Sequence, residues 1–213
     1  MKIFIFIVVG LGILLFLSSC GLLYTTKYDK EAFKLSEEYG GIYVFNKEIR
    51  DEIKKLQEEE IAKRRLVENN DPDFYEKMIA LEKKYSILSN GCKYFIKEVI
   101  IGVKEDKKEA KFEPYYQKIK EYMGEKVFNK LDIYLTSYYK CGDKVIPISF
   151  FIKAYGTITE YGLYGFDEVN GGYRFSKKSY FGASANNIFY LINDKFVKSN
   201  QKISEEKTEG RLY

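Results

Sequence analysis

Val145-Ile146-Pro147-Ile148-Ser149-Phe150-Phe151-Ile152-Lys153-Ala154-Tyr155 is dense in β-branched and aromatic residues and reads as a strand. Working outward, similar runs at residues 133–139, 156–166, 173–181 and 188–197 are each set off by turn residues. Asn170-Gly171-Gly172 is a hairpin signal, because Asn and Gly accept the positive φ of a tight turn. Helical patterns come before these runs. Helices first and strands after predict an α+β domain, with N-terminal helices packed on a C-terminal antiparallel sheet.

The helical half is punctuated by its caps. Asp29 caps a helix through residue 38, with Ala32, Phe33 and Leu35 as apolar positions and Gly40-Gly41 as its stop. Ile42-Tyr43-Val44-Phe45 is a short β-prone run. Asn46 opens a second helix through residue 67, with Ile49, Ile53 and Leu56 on one face and a solvated run of Glu58, Glu59, Glu60, Lys63, Arg64 and Arg65. Asp71-Pro72-Asp73 starts a third, whose stripe is Phe74, Met78, Leu81, Tyr85 and Leu88. Residues 92–103 read as a strand and 104–111 as a charged loop. Pro114 then starts a helix carrying Tyr115, Ile119, Tyr122, Met123 and Val127.

The first twenty residues are of another kind. Lys2 precedes an unbroken apolar or small run from Ile3 to Leu17, short of the about 20 residues a membrane helix needs. A charged start, a short apolar core and small residues at its end describe a secretory signal peptide. Its last residues, Leu17-Ser18-Ser19-Cys20, resemble the lipobox of bacterial lipoproteins, in which the Cys thiol is diacylated and the peptide is cut just before it. The resemblance implies a signal peptide at 1–19, lipidation at Cys20, and a lipid anchor and tether at 20–28. A single α+β domain at 29–198 and a loose polar tail at 199–213 complete the expected organisation. Two or more acyl chains anchor stably where one does not. Gly21, in place of Asp, implies the outer membrane, with the domain facing the periplasm or the exterior. Glu38-Tyr39-Gly40-Gly41-Ile42-Tyr43-Val44-Phe45 is similar to a Gly-Gly-Ile-x-Val-Tyr segment of small uncharacterised bacterial lipoproteins, with Phe45 where that group has Tyr. The residues alone read as a helix stop followed by a strand.

Composition narrows the chemistry. Of 213 residues, 194 would remain after cleavage (213 less 19), with 34 basic side chains (35 less Lys2) against 31 acidic ones. That balance gives no case for nucleic acid. The chain has no histidine, which excludes Ser-His-Asp triads and histidine-ligated zinc sites. Apart from Cys20, the cysteines are Cys92 and Cys141. In an oxidising compartment they are expected to pair, closing a loop of about 50 residues worth roughly 4 kcal/mol. The alternative is a reactive Cys141 thiolate favoured by Lys140 and Lys144.

Tyrosine is the commonest aromatic, and Tyr155, Tyr161, Tyr164, Tyr173 and Tyr180 fall on successive expected strands. They define a candidate face for a glycan, peptide or envelope protein, or else sheet packing. Catalytic patterns are weak. Ser137-Tyr138-Tyr139-Lys140 matches Ser-x-x-Lys, and Ser184-Ala185-Asn186 imitates the second motif of penicillin-interacting serine enzymes. The third is broken as Lys207-Thr208-Glu209-Gly210, and Ser137 falls on a strand where the motif needs a helix start. Asp167-Glu168 and Glu205-Glu206 are sequence neighbours that point apart in a strand, a poor glycosidase pair. No metal site or cofactor is expected. The expectation is a lipid-anchored, non-enzymatic binding or structural protein of the envelope. Alternatives are a periplasmic immunity or exclusion lipoprotein, or a carboxylate-dependent cell-wall hydrolase.

Overall fold

A computed structural model of the chain describes residues 2–19, 25–68, 71–97, 110–162, 164–167 and 171–205. Cys20 and Gly21, Asn170, residues 98–109 and residues 206–213 lie outside the described residues. Helix α1 is Lys2–Ser19, 18 residues, or about 27 Å at the usual helical rise. Among the described residues, no helix is long and apolar enough to cross a membrane. The domain then runs β1 (Thr25–Tyr28), α2 (Lys30–Tyr39), β2 (Gly41–Val44), α3 (Lys47–Arg64), α4 (Phe74–Tyr85) and β3 (Lys93–Ile96). After a 3-10 turn at Ala110–Phe112 come α5 (Glu113–Met123), α6 (Glu125–Phe128), β4 (Leu131–Cys141), β5 (Lys144–Tyr161), β6 (Phe166–Asp167) and β7 (Gly172–Tyr173). Strands β8 (Ser176–Ala183), β9 (Asn187–Ile192) and β10 (Lys195–Lys202) follow, with a last 3-10 turn at Ile203–Glu205.

The class is α+β, and the caps act where the residues place them. Asp29 Oδ1 accepts from the backbone N–H of Glu31 (3.0 Å) and Ala32 (3.3 Å), and Asn46 Oδ1 accepts from that of Ile49 (2.9 Å). The sheet, however, is mixed. Its order is β10-β9-β2-β5-β4-β3, with β1 and β8 also on β5, and β2 lies parallel to β9 while antiparallel to β5. Gly41 makes that insertion possible. Its φ is +135° and it pairs with both Ile152 and Asn187, so a Cβ there would overlap the Asn187 backbone. Asn187 then ties the junction together, donating from Nδ2 to the carbonyls of Glu37 and Gly40, both at 2.9 Å.

Four expected boundaries move. Residues 145–155 and 156–166 are not two strands, because β5 runs through Gly156 to Tyr161. The glycine is there for space: a side chain would meet Ala32 Cβ and the Phe181 ring at 2.7 Å. Residues 25–28, expected as part of a tether, are strand β1, which pairs along β5 from Thr25↔Tyr161 to Tyr28↔Ile158. The ordered domain also outlasts residue 198. β10 continues to Lys202, and the buried Ile203 joins Ile42, Val44, Ile188 and Tyr190. The expected strand at 173–181 divides into β7 and β8.

The core forms where β2, β5 and β9 run side by side. Phe150, Ile152, Tyr43 and Phe189 are fully buried with Tyr116, Ile119 and Met123 of α5 and Phe128 of α6. Tyr43 stacks on Phe189 at 4.4 Å and donates its hydroxyl to the Tyr39 carbonyl at 2.9 Å; burial pushes its ionisation well above the usual tyrosine range. Alternation sends Ile42 and Val44 to the opposite face. A separate cluster gathers Ile53 of α3, Leu88 and Tyr94 around Ile148. Cys92 and Cys141 are joined by a disulfide, Cα atoms 4.9 Å apart across a sequence separation of 49, which fastens β3 to the end of β4.

Candidate functional site

Beyond Ala154, β5 becomes the middle of a three-stranded arm, with β8 on one side, β1 on the other and Ala32 of α2 against Gly156. The register sets Tyr155 opposite Gly182, Thr157 opposite Tyr180 and Tyr161 opposite Ser176. Tyr155, Tyr161 and Tyr180 therefore share one face with Thr157 and Thr159, the face turned away from Phe150 and Ile152. Tyr155 is half-buried, Tyr161 is 46% exposed and Tyr180 80%.

Two of the five expected tyrosines stand elsewhere. The Tyr164 hydroxyl reaches the Glu160 carboxylate at 3.4 Å, and Glu160 alternates to the other face from Tyr161. Tyr173 belongs to the β6–β7 ribbon that prolongs the arm, pairing with Phe166. Backbone bonds from Gly162 N–H to the Phe175 carbonyl (2.9 Å) and from Tyr164 N–H to that of Arg174 (2.8 Å) splice the ribbon onto β5 and β8. Tyr173 and Phe175 are exposed at this tip, 64% and 65%.

At the root of the same face lies a residue the sequence reading passed over. Lys153 is only 3% exposed, and its Nζ is sealed from solvent with no hydrogen-bond partner. The ammonium sits 4.5 Å from the Tyr134 ring centre and 4.9 Å from that of Tyr155, whose hydroxyls are 3.0 Å apart. Such stacking offsets part of the desolvation, by about 2 kcal/mol for a buried cation. Its chemistry is that of a fixed, covered positive charge. The available signal was one lysine inside Phe150-Phe151-Ile152-Lys153-Ala154.

Two open grooves flank these elements. One, of about 730 Å³, runs over the arm beside the start of α2 and is lined by Lys27, Lys30, Thr157, Thr159, Tyr161 and Lys178, among others. Asp29 also borders it, but its carboxylate is occupied in capping α2. The other, of about 340 Å³, lies among α3, α4 and β3, where Arg64 pairs with Glu60 (Nε to Oε1, 2.7 Å) and approaches Glu82 at 3.9 Å. Tyr94 lines it; burial first and the Glu60 charge second push its hydroxyl up to about 12.

The Ser-x-x-Lys residues are not brought together. Ser137 is buried on β4 with its Oγ 2.6 Å from Ser149 Oγ, which also meets Thr136 Oγ1 at 2.8 Å. These hydroxyls satisfy one another at the irregular register between β4 and β5. Lys140 Nζ lies over the Phe95 ring at 5.4 Å. Among the described residues, no group of three or more Cys, Asp or Glu gathers as a metal site. No family model, curated protein or solved structure matches the chain.

Proposed function

We propose that this chain is an exported lipoprotein, held at the cell envelope by acyl chains on Cys20, whose folded domain binds or supports an envelope partner and is not an enzyme. The observation that carries the reading is Leu17-Ser18-Ser19-Cys20 at the end of the apolar run. The Cys92–Cys141 bridge supports it, because such bonds persist where the surroundings are oxidising. The lack of histidine supports a binding role by removing the usual proton shuttle near neutral pH. Gly21 in place of Asp points to the outer membrane, and the tyrosine face of the arm is the surface offered to a glycan, peptide or protein.

The test is metabolic labelling with an alkyne fatty acid, followed by intact mass of the mature chain. A labelled product starting at residue 20, with label and membrane fractionation both lost in Cys20→Ser, is the expected result. An unlabelled chain that still carries residues 1–19 would overturn the reading.

A further inference from the structure

The arm and the anchor are tied to the same end of the molecule. Thr25 pairs with Tyr161 at the far end of β5, and the five steps back to Cys20 span at most about 18 Å even fully extended. Ile148, at the helix-covered end of β5, lies about 43 Å from Tyr161 along the strand. A membrane holding Cys20 therefore meets the tip of the arm first. What it meets there is amphipathic. Tyr161, Tyr173 and Phe175 are exposed, and the adjoining groove presents Lys27, Lys30 and Lys178, none of which forms an ion pair among the described residues. The carboxylate that lines this groove, that of Asp29, is engaged by the α2 backbone.

We propose that this tip is a second membrane contact. Tyr161, Tyr173 and Phe175 enter the interfacial layer of an anionic phospholipid bilayer, while Lys27, Lys30 and Lys178 hold its phosphate headgroups. Aromatic rings with one polar edge favour that layer, and lysines near it are drawn to anionic lipid. The proposal rests on the anchoring of Cys20 and deepens it: the arm would fix the orientation of the domain, leaving α3, α4 and β3 facing away from the membrane.

The absence of tryptophan makes this directly readable. Single-tryptophan forms of the full chain, Tyr173→Trp, Phe175→Trp and, as the remote control, Tyr75→Trp on α4, are extracted from membranes. Each is then reconstituted into phosphatidylethanolamine–phosphatidylglycerol vesicles carrying brominated acyl chains. Tyr75 is 80% exposed, so all three substitutions spare the core. In vesicles recovered by flotation, residues 173 and 175 should emit further to the blue and be quenched about twofold or more beyond residue 75. Lys27→Glu with Lys178→Glu should remove most of that difference. Chains that float while all three positions quench alike would overturn the tip contact alone; chains that do not float would overturn the anchoring and the contact together. Quenching at 173 that is unchanged in purely phosphatidylcholine vesicles would overturn the role of the lysines.

Discussion

The two halves of β5 are one continuous strand put to different uses. Between Ile148 and Ile152 it is flanked by β2 and β4 and covered by helices, so Ile148, Phe150 and Ile152 are fully buried. Between Tyr155 and Tyr161 the neighbours are β8 and β1, and apart from the buried Gly156 its residues are half-buried or exposed. Residue types barely change along it, since aromatic and β-branched side chains fill both parts. The difference lies in what the rest of the chain lays over them. An aromatic residue in a strand thus contributes a core or a surface according to its cover.

That contrast can be broken by substitution, and the effects should fall off along the strand. Phe150→Ala should cost about 4 kcal/mol in denaturant unfolding, from lost transfer energy and the cavity left among Tyr116, Phe45 and Phe112; a loss under about 1 kcal/mol would mean that the covered half is not the core. Next, replacing Cys92 and Cys141 together by Ala should lower stability by about 3 kcal/mol, while the distal arm keeps its amide-exchange pattern. A change confined to the arm would reverse the assignment of the bridge to the covered end.

At the border, Lys153→Met should be neutral or raise stability by about 1 kcal/mol, because an apolar chain of similar length removes a buried ammonium without an acceptor. A loss of more than about 1 kcal/mol would show that the Tyr134 and Tyr155 rings repay its desolvation in full. Smallest of all, Tyr180→Ser should change unfolding by no more than about 0.5 kcal/mol. A larger loss would make the arm part of the folding core.

Much of the architecture was legible because it rests on local chemistry. Asp29 and Asn46 mark ends of elements through hydrogen bonds to backbone groups two or three residues on. The parallel pairing of β2 with β9 was not legible, since Tyr43 and Phe189, partners in the sheet, are far apart in sequence. The stretch after Lys198 reads as polar tail because β10 lies at the sheet edge, where polar side chains face solvent. Among the described residues its buried anchor, Ile203, is an apolar residue in polar company. Gly156 looked like a break because its reason, the Ala32 and Phe181 contacts, comes from distant sequence. Of the candidate face, alternation could align Tyr155 and Tyr161, but only the register with β8 places Tyr180 beside them. Lys153 was hidden for the opposite reason: charge in a strand is usually read as exposure.

The seat of β2 between β5 and β9 sets an order of events. A chain emerging from its N-terminus must hold Ile42, Tyr43 and Val44 without their second neighbour until Asn187 to Tyr190 arrive, so assembly is delayed until those residues are present. Nascent chains halted before Asn187 should remain open and protease-sensitive, with an apolar strand edge ready to join another copy.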